Sequence, residues 1–189
     1  MITTLNRLAV LSALAAVAAA CAESPTASRA NVTVLDAPRA SMQVDLGPCA
    51  NLAVPAGHEV SRRVYATGVQ IYRWNGASWA PVGPEATLHA DKEFRSLVGT
   101  HYRGPTWESL SGSLVEAMVD DRCTPDAGSI QWLRLKATRS TGPGIFDGTT
   151  YVQRLRTAAG VAPGTPGALD QVVRIPYTTE YVFYRLADE

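Results

Sequence analysis

The chain has 189 residues, with 17 basic and 17 acidic side chains and a formal net charge of zero. That length supports one domain with a sizeable core and leaves no room for two comfortable ones. The balanced charge shows none of the basic footprint that holds nucleic acid, so a nucleic-acid partner is excluded from the reading.

Residues 1–20 read as an export signal, with a short polar start carrying Arg7, an apolar run over 8–20 and small residues at its end. The run is too short to span a bilayer. Ala18-Ala19-Ala20-Cys21 resembles a bacterial lipobox, in which the cysteine becomes the lipidated first residue, although Ala18 stands where that pattern usually has leucine. The expected place is the bacterial cell envelope, with the Cys21 lipid as the membrane contact. Cleavage by the ordinary signal peptidase, giving a secreted or periplasmic protein, is the alternative. Residues 21–46, rich in Ala, Ser, Thr and Pro, read as a flexible tether with one apolar patch at 32–35, and residues 47–189 as the folded domain. In an oxidising compartment Cys49 and Cys123 form an even pair, for which a disulfide is expected.

The pattern turns to strands after Gly57. Residues 60–65 and 68–74 read as two strands, and Asn75-Gly76 as a two-residue hairpin loop. That loop pairs Trp74 with Ala77 and Tyr72 with Trp79, collecting aromatics on one face. Residues 84–88 follow, and Leu97 leads into the densest cluster of reactive side chains, Gly-Thr-His-Tyr-Arg-Gly-Pro-Thr-Trp-Glu at 99–108. With Gly104-Pro105 as a two-residue loop, Tyr102 faces Trp107 and His101 faces Glu108. A carboxylate opposite the imidazole would favour its charged form and bring its pKa toward neutral, where a general acid or base works best. A cross-strand ion pair that only fixes register is the other reading.

Beyond Gly112, residues 114–119 place Val115, Ala117 and Val119 on one face. Residues 130–137 turn Leu133, Leu135 and Ala137 inward and leave Trp132, Arg134 and Lys136 outside. A glycine-rich loop at 142–148 leads to a strand over 149–157, and 158–168 reads as a surface loop. Residues 172–175 and 177–186 suit a closing strand. About nine to eleven short antiparallel strands, with little helix outside the leader, predict an all-β fold, either a sandwich or an up-and-down barrel.

Five islands carry a resemblance: 68–74 (Gly-Val-Gln-Ile-Tyr-Arg-Trp), 84–88 (Pro-Glu-Ala-Thr-Leu), 99–108, 151–155 (Tyr-Val-Gln-Arg-Leu) and 176–184 (Pro-Tyr-Thr-Thr-Glu-Tyr-Val-Phe-Tyr). Together they resemble the domain of unknown function 3455 family, which implies an exported protein with no established activity. The chain departs from the pattern at Ser111-Gly112-Ser113, where Asp-Gly-Ser is expected, and at Ala159-Gly160, where paired glycines are expected. Some relatives carry a malate dehydrogenase label. The Gly-x-Gly-x-x-x-Gly spacing at 142–148 gives it no support, because a phosphate-binding glycine loop opens a helix and this one precedes a strand-like run.

No cofactor loop is recognised. His58, His89 and His101 are not spaced as a local chelate, so no metal is assigned. Ser109, Ser111 and Ser113 lie near His101 in sequence without a nucleophile elbow, and Glu85 with Glu108 is a carboxylate pair whose separation the sequence leaves open. The reading is a binding or envelope-associated module for a small molecule or glycan. Trp74, Trp79, Tyr102 and Trp107 offer stacking surfaces, and Glu85, Arg103 and Arg154 offer polar contacts. The alternative is a hydrolase that uses His101 and Glu108.

Overall fold

The alternating pattern is realised as eight antiparallel strands in the computed structural model, which describes residues 43–188: β1 (His58–Trp74), β2 (Trp79–His89), β3 (Leu97–Tyr102), β4 (Thr106–Ser109), β5 (Leu114–Cys123), β6 (Trp132–Thr141), β7 (Tyr151–Ala159) and β8 (Val172–Leu186). Each strand pairs with the next in sequence, and β8 pairs with β1, so the sheet closes into an up-and-down barrel and the sandwich reading falls away. The export signal, Cys21, the apolar patch at 32–35 and the tether as far as residue 42 lie outside the described residues.

Eight strands stand where nine to eleven were expected because two breaks read from the sequence are not breaks. Residues 60–65 and 68–74 belong to one strand of 17 residues. Gly68 sits inside it, where a Cβ would come within 2.2 Å of the Glu85 carbonyl oxygen and 2.5 Å of Ala86. The glycine there lets β1 and β2 approach closely and does not end a strand. The C-terminal run likewise continues through Pro176 as one 15-residue strand, which pairs along almost the whole of β1 and closes the barrel.

Inside the barrel, Val64, Ala66, Leu88, Trp107, Val115, Leu135, Val152 and Phe183 form one buried cluster, with Leu133 and Ala137 turned inward as their spacing requires. Each large apolar side chain removed from water here contributes about 1.5–3 kcal/mol. Phe146, from the glycine-rich loop between β6 and β7, enters this cluster and stacks on Phe183 with ring centroids 4.5 Å apart. That loop opens no helix and leads directly into β7, as its spacing indicated. It closes one end of the barrel.

A second, smaller cluster lies outside the wall. Cys49 and Leu52 pack against Leu155, Val182 and Tyr184, with Val44 and Leu46 partly buried beside them. The last residues assigned to the tether are therefore docked on the domain. Three devices hold the segment: the Cys49–Cys123 disulfide, the Gln153 amide donating to the Leu52 carbonyl at 2.7 Å, and the Arg134 guanidinium donating to the carbonyls of Asn51 and Ala53. Tyr184 completes the arrangement by donating its hydroxyl to Gln153 Oε1 at 2.7 Å. Close to this patch, Glu180 accepts from Arg63 and Arg156 at 2.7 and 2.8 Å, and Arg156 is brought there by a bulge in β7.

Candidate functional site

The hairpin between β3 and β4 differs from its expected register by one residue. His101 lies opposite Trp107, Tyr102 opposite Thr106 and Thr100 opposite Glu108, which leaves Arg103, Gly104 and Pro105 as a three-residue loop. Because side chains alternate faces along a strand, this single step puts His101 and Glu108 on opposite faces of the sheet. His101 points into the barrel and is 3% exposed, while Glu108 lies on the outer face and accepts from the Tyr102 hydroxyl at 2.8 Å. The expected acid–base pair is not formed, and the hydrolase reading loses the geometry it needs.

His101 instead belongs to an aromatic layer across the barrel. Its ring stacks on Trp107 at 4.6 Å, and Tyr181 packs edge-on against both. His101 Nδ1 lies 2.7 Å from the Thr106 carbonyl oxygen, to which a protonated Nδ1 donates. Burial depresses its pKa to about 3, against the opposing effect of the Thr106 bond, so the ring is neutral at ordinary pH.

The stacking platform is not assembled either. Trp107 is 1% exposed and part of the core. Trp74 and Trp79 face each other across a four-residue turn, edge to face at 5.4 Å, because the Asn75 side chain accepts from the amides of both Ala77 and Ser78 and so lengthens the loop. Trp79 donates its indole N–H to the Thr165 carbonyl. Tyr102 lies on the outer face beside Glu108, and Glu85 is paired with Arg174. The three serines bond to one another at the closed end, where Ser113 Oγ also accepts from the Phe146 amide. Ser111, the departure from Asp, is thus part of the turn that seats the Phe146 loop.

The space open to a ligand is at the other end. A cavity of about 660 Å³ lies at the mouth, between the β3–β4 tip, the start of β2 and the loops 124–131 and 160–171. Arg103 and Arg154 line it, together with Tyr72, read from the sequence only as part of an aromatic face, with Gln70 and Arg122, which had not been singled out, and with apolar walls that include Val82, Leu133 and Val161. Arg154 points inward from β7, with Leu133 and Tyr181 as its neighbours across the strands. Its Nε and Nη2 both donate to the Gln131 carbonyl, at 3.0 and 2.9 Å, which fixes the guanidinium and ties down the loop beside it. Tyr72 reaches across to donate to the Gly160 carbonyl at 2.7 Å.

Beneath the cavity the polar groups are under-supplied with partners. Gln70 Nε2, Trp107 Nε1 and the hydroxyls of Tyr177 and Tyr181 are buried without a hydrogen bond of normal length and angle. Tyr177 and Tyr181 nonetheless lie close enough to Gln70, to Arg154 and to each other to feel their presence. Burial raises the pKa of both, and the nearby Arg154 charge lowers it only in part, so both hydroxyls stay protonated. Buried donors without acceptors are costly in a native fold and mark places where something else supplies the bond. A signal for this layer was present in the sequence: Gln70 and Tyr72, and Tyr177, Tyr181 and Phe183, fall on one strand face each by period two.

Among the described residues no group of three or more His, Cys, Asp or Glu side chains converges as a metal site. No curated protein and no solved structure matches the chain. Residues 55–185, a span that takes in the whole of the barrel except the last residue of β8, match the family described as "Protein of unknown function (DUF3455)", and the chain belongs to that family.

Proposed function

We propose that this protein is a binding module whose ligand is a small molecule held in the mouth of the barrel. The observation that carries this reading is the open cavity of about 660 Å³, with apolar walls and a base of buried, unpartnered donors. Eight-stranded barrels are wide enough to hold one small ligand, and barrel mouths are recurrent sites for such molecules. The hairpin register supports binding over hydrolysis, because His101 is sealed beside Trp107 and has no carboxylate facing it. Export to the cell envelope, with Cys21 as the lipid anchor, belongs to the same proposal. The Cys49–Cys123 disulfide supports it, since such bonds persist in oxidising compartments.

The test is titration of the protein with N-phenyl-1-naphthylamine, a neutral apolar dye that brightens in a dry site. The expected result is saturable binding of one dye per barrel, abolished by Val119→Trp. Val119 lines the cavity and is 38% exposed, so the larger ring fills the mouth without entering the core. Absence of saturable binding, or binding indifferent to Val119→Trp, overturns the proposal.

A further inference from the structure

Three arginines line the mouth cavity, Arg103, Arg122 and Arg154, and no Asp or Glu is among the described residues that line it. This is unusual within the molecule itself. Most other arginines among the described residues have a carboxylate partner, Arg63 and Arg156 sharing Glu180 and Arg134 pairing with Asp120, and the exposed Arg62 is the one other without such a pair. None of the three at the mouth has a carboxylate within ion-pair distance among the described residues. The chain as a whole is charge-balanced, so the unopposed charge at this one place is a local arrangement.

Arg154 is the best placed of the three. Two of its five N–H donors are spent on the Gln131 carbonyl, and that bond holds the planar fork in a fixed attitude inside the barrel. Beside the cavity, Gln70 is 8% exposed, and its Nε2 has no acceptor at normal hydrogen-bond length and angle, with the Tyr177 hydroxyl near it. Tyr181 is a second buried donor on the strand next to Arg154. A guanidinium, an amide N–H and phenolic O–H groups are all donors. Their common complement is a group that only accepts and carries negative charge. The remainder of the lining is apolar, with Pro81, Val82, Pro84, Leu133 and Val161 around the opening.

We infer that the ligand is an amphipathic carboxylate, with its head group on Arg154 and Gln70 and its apolar body against the proline- and valine-lined wall of the mouth. The inference rests on the binding reading above and adds the chemical class. Two kinds of molecule share this chemistry, an alkyl-chain acid and an aryl acid. Neither needs a reaction to be held, and each would neutralise a cation that the fold leaves unopposed.

The experiment compares decanoate with decanamide, and 2-naphthoate with 2-naphthamide, by calorimetry on the protein. A charge-assisted fork contact predicts that each acid binds at least about tenfold more tightly than its amide. Arg154→Gln is expected to bring that ratio close to one while amide binding persists. Should Arg154→Gln fail to fold, as judged by near-ultraviolet circular dichroism, Gln70→Leu is read in its place and is expected to narrow the ratio. The tighter of the two acids identifies the body as alkyl or aryl. Equal affinity of acid and amide for the unaltered domain overturns the inference and leaves the binding reading standing. A ratio undiminished in a folded variant overturns the placement of the head group. Failure of all four compounds together with the neutral dye overturns both readings.

Discussion

A buried imidazole has two ways to be tolerated, as half of an ion pair or as a neutral ring, and His101 takes the second. Stacked on Trp107 and held by the Thr106 carbonyl, it gives up its charge, and its pKa falls from 6.5 to about 3. In the unfolded chain the same ring takes up a proton near 6.5, so below that pH the unfolded state binds one more proton than the folded state. Its contribution is therefore complete above about pH 6.5 and is lost progressively as pH falls toward 3. Urea unfolding at pH 7.5 and pH 4.5 (about one and two units either side of that value) should show a fall in stability on acidification that is smaller in His101→Phe. An identical pH dependence in the two proteins would show that this ring is not the neutral one.

At the scale of strands, outcome turns on single-residue offsets. Three residues in the β3–β4 loop where two were expected were enough to exchange faces and dissolve the His101–Glu108 pair, whereas four in the β1–β2 turn where two were expected kept Trp74 and Trp79 on one face, and it is the burial of Trp107 that removes it from the aromatic platform. The strands themselves were legible, because alternation within β5 and β6 declares which side is apolar. Loop length was not, because the bond from Asn75 to two following amides and the three-residue Arg103-Gly104-Pro105 loop leave no distinct trace in composition. Arg103 and Arg154 were named from the sequence and line the cavity; Gln70, which lines it with them, and Tyr181, buried beneath it, were hidden in strands that read simply as core.

The end of β7 offers a test at this same scale. Ala159 has φ of +59° and is followed by Gly160 at +83°, which makes the family's paired glycines intelligible, since both positions lie in the left-handed region. Alanine there costs about 1 kcal/mol of backbone strain, and glycine in its place gives part of that back as a looser unfolded chain. Ala159→Gly is thus expected to raise stability by about 0.5 kcal/mol, read as a small rise in thermal midpoint. A fall of the size usual for glycine inside a strand would contradict the strain.

For the whole molecule, the determining feature is that the wall formed by β7 and β8 is covered on both sides, by the barrel core within and by the segment around Cys49 without. This explains why Val152, Gln153 and Leu155 are all buried, and why residues 181–184 show no polar face in sequence. The disulfide spans 74 residues and joins that segment to the end of β5. On the chain-entropy account its reduction removes up to about 4 kcal/mol, so the urea midpoint should drop clearly in reductant. An unchanged midpoint would mean that the outer cluster alone holds the segment.

Because Phe146 stoppers the far end, the barrel of the described residues is a cup and not a tube. Whatever enters departs through the same doorway, and a newcomer has no rear entrance from which to push the resident out. On the proposed binding reading, exchange would then run as a queue, in which one occupant leaves before the next is admitted and departure is indifferent to how many wait outside.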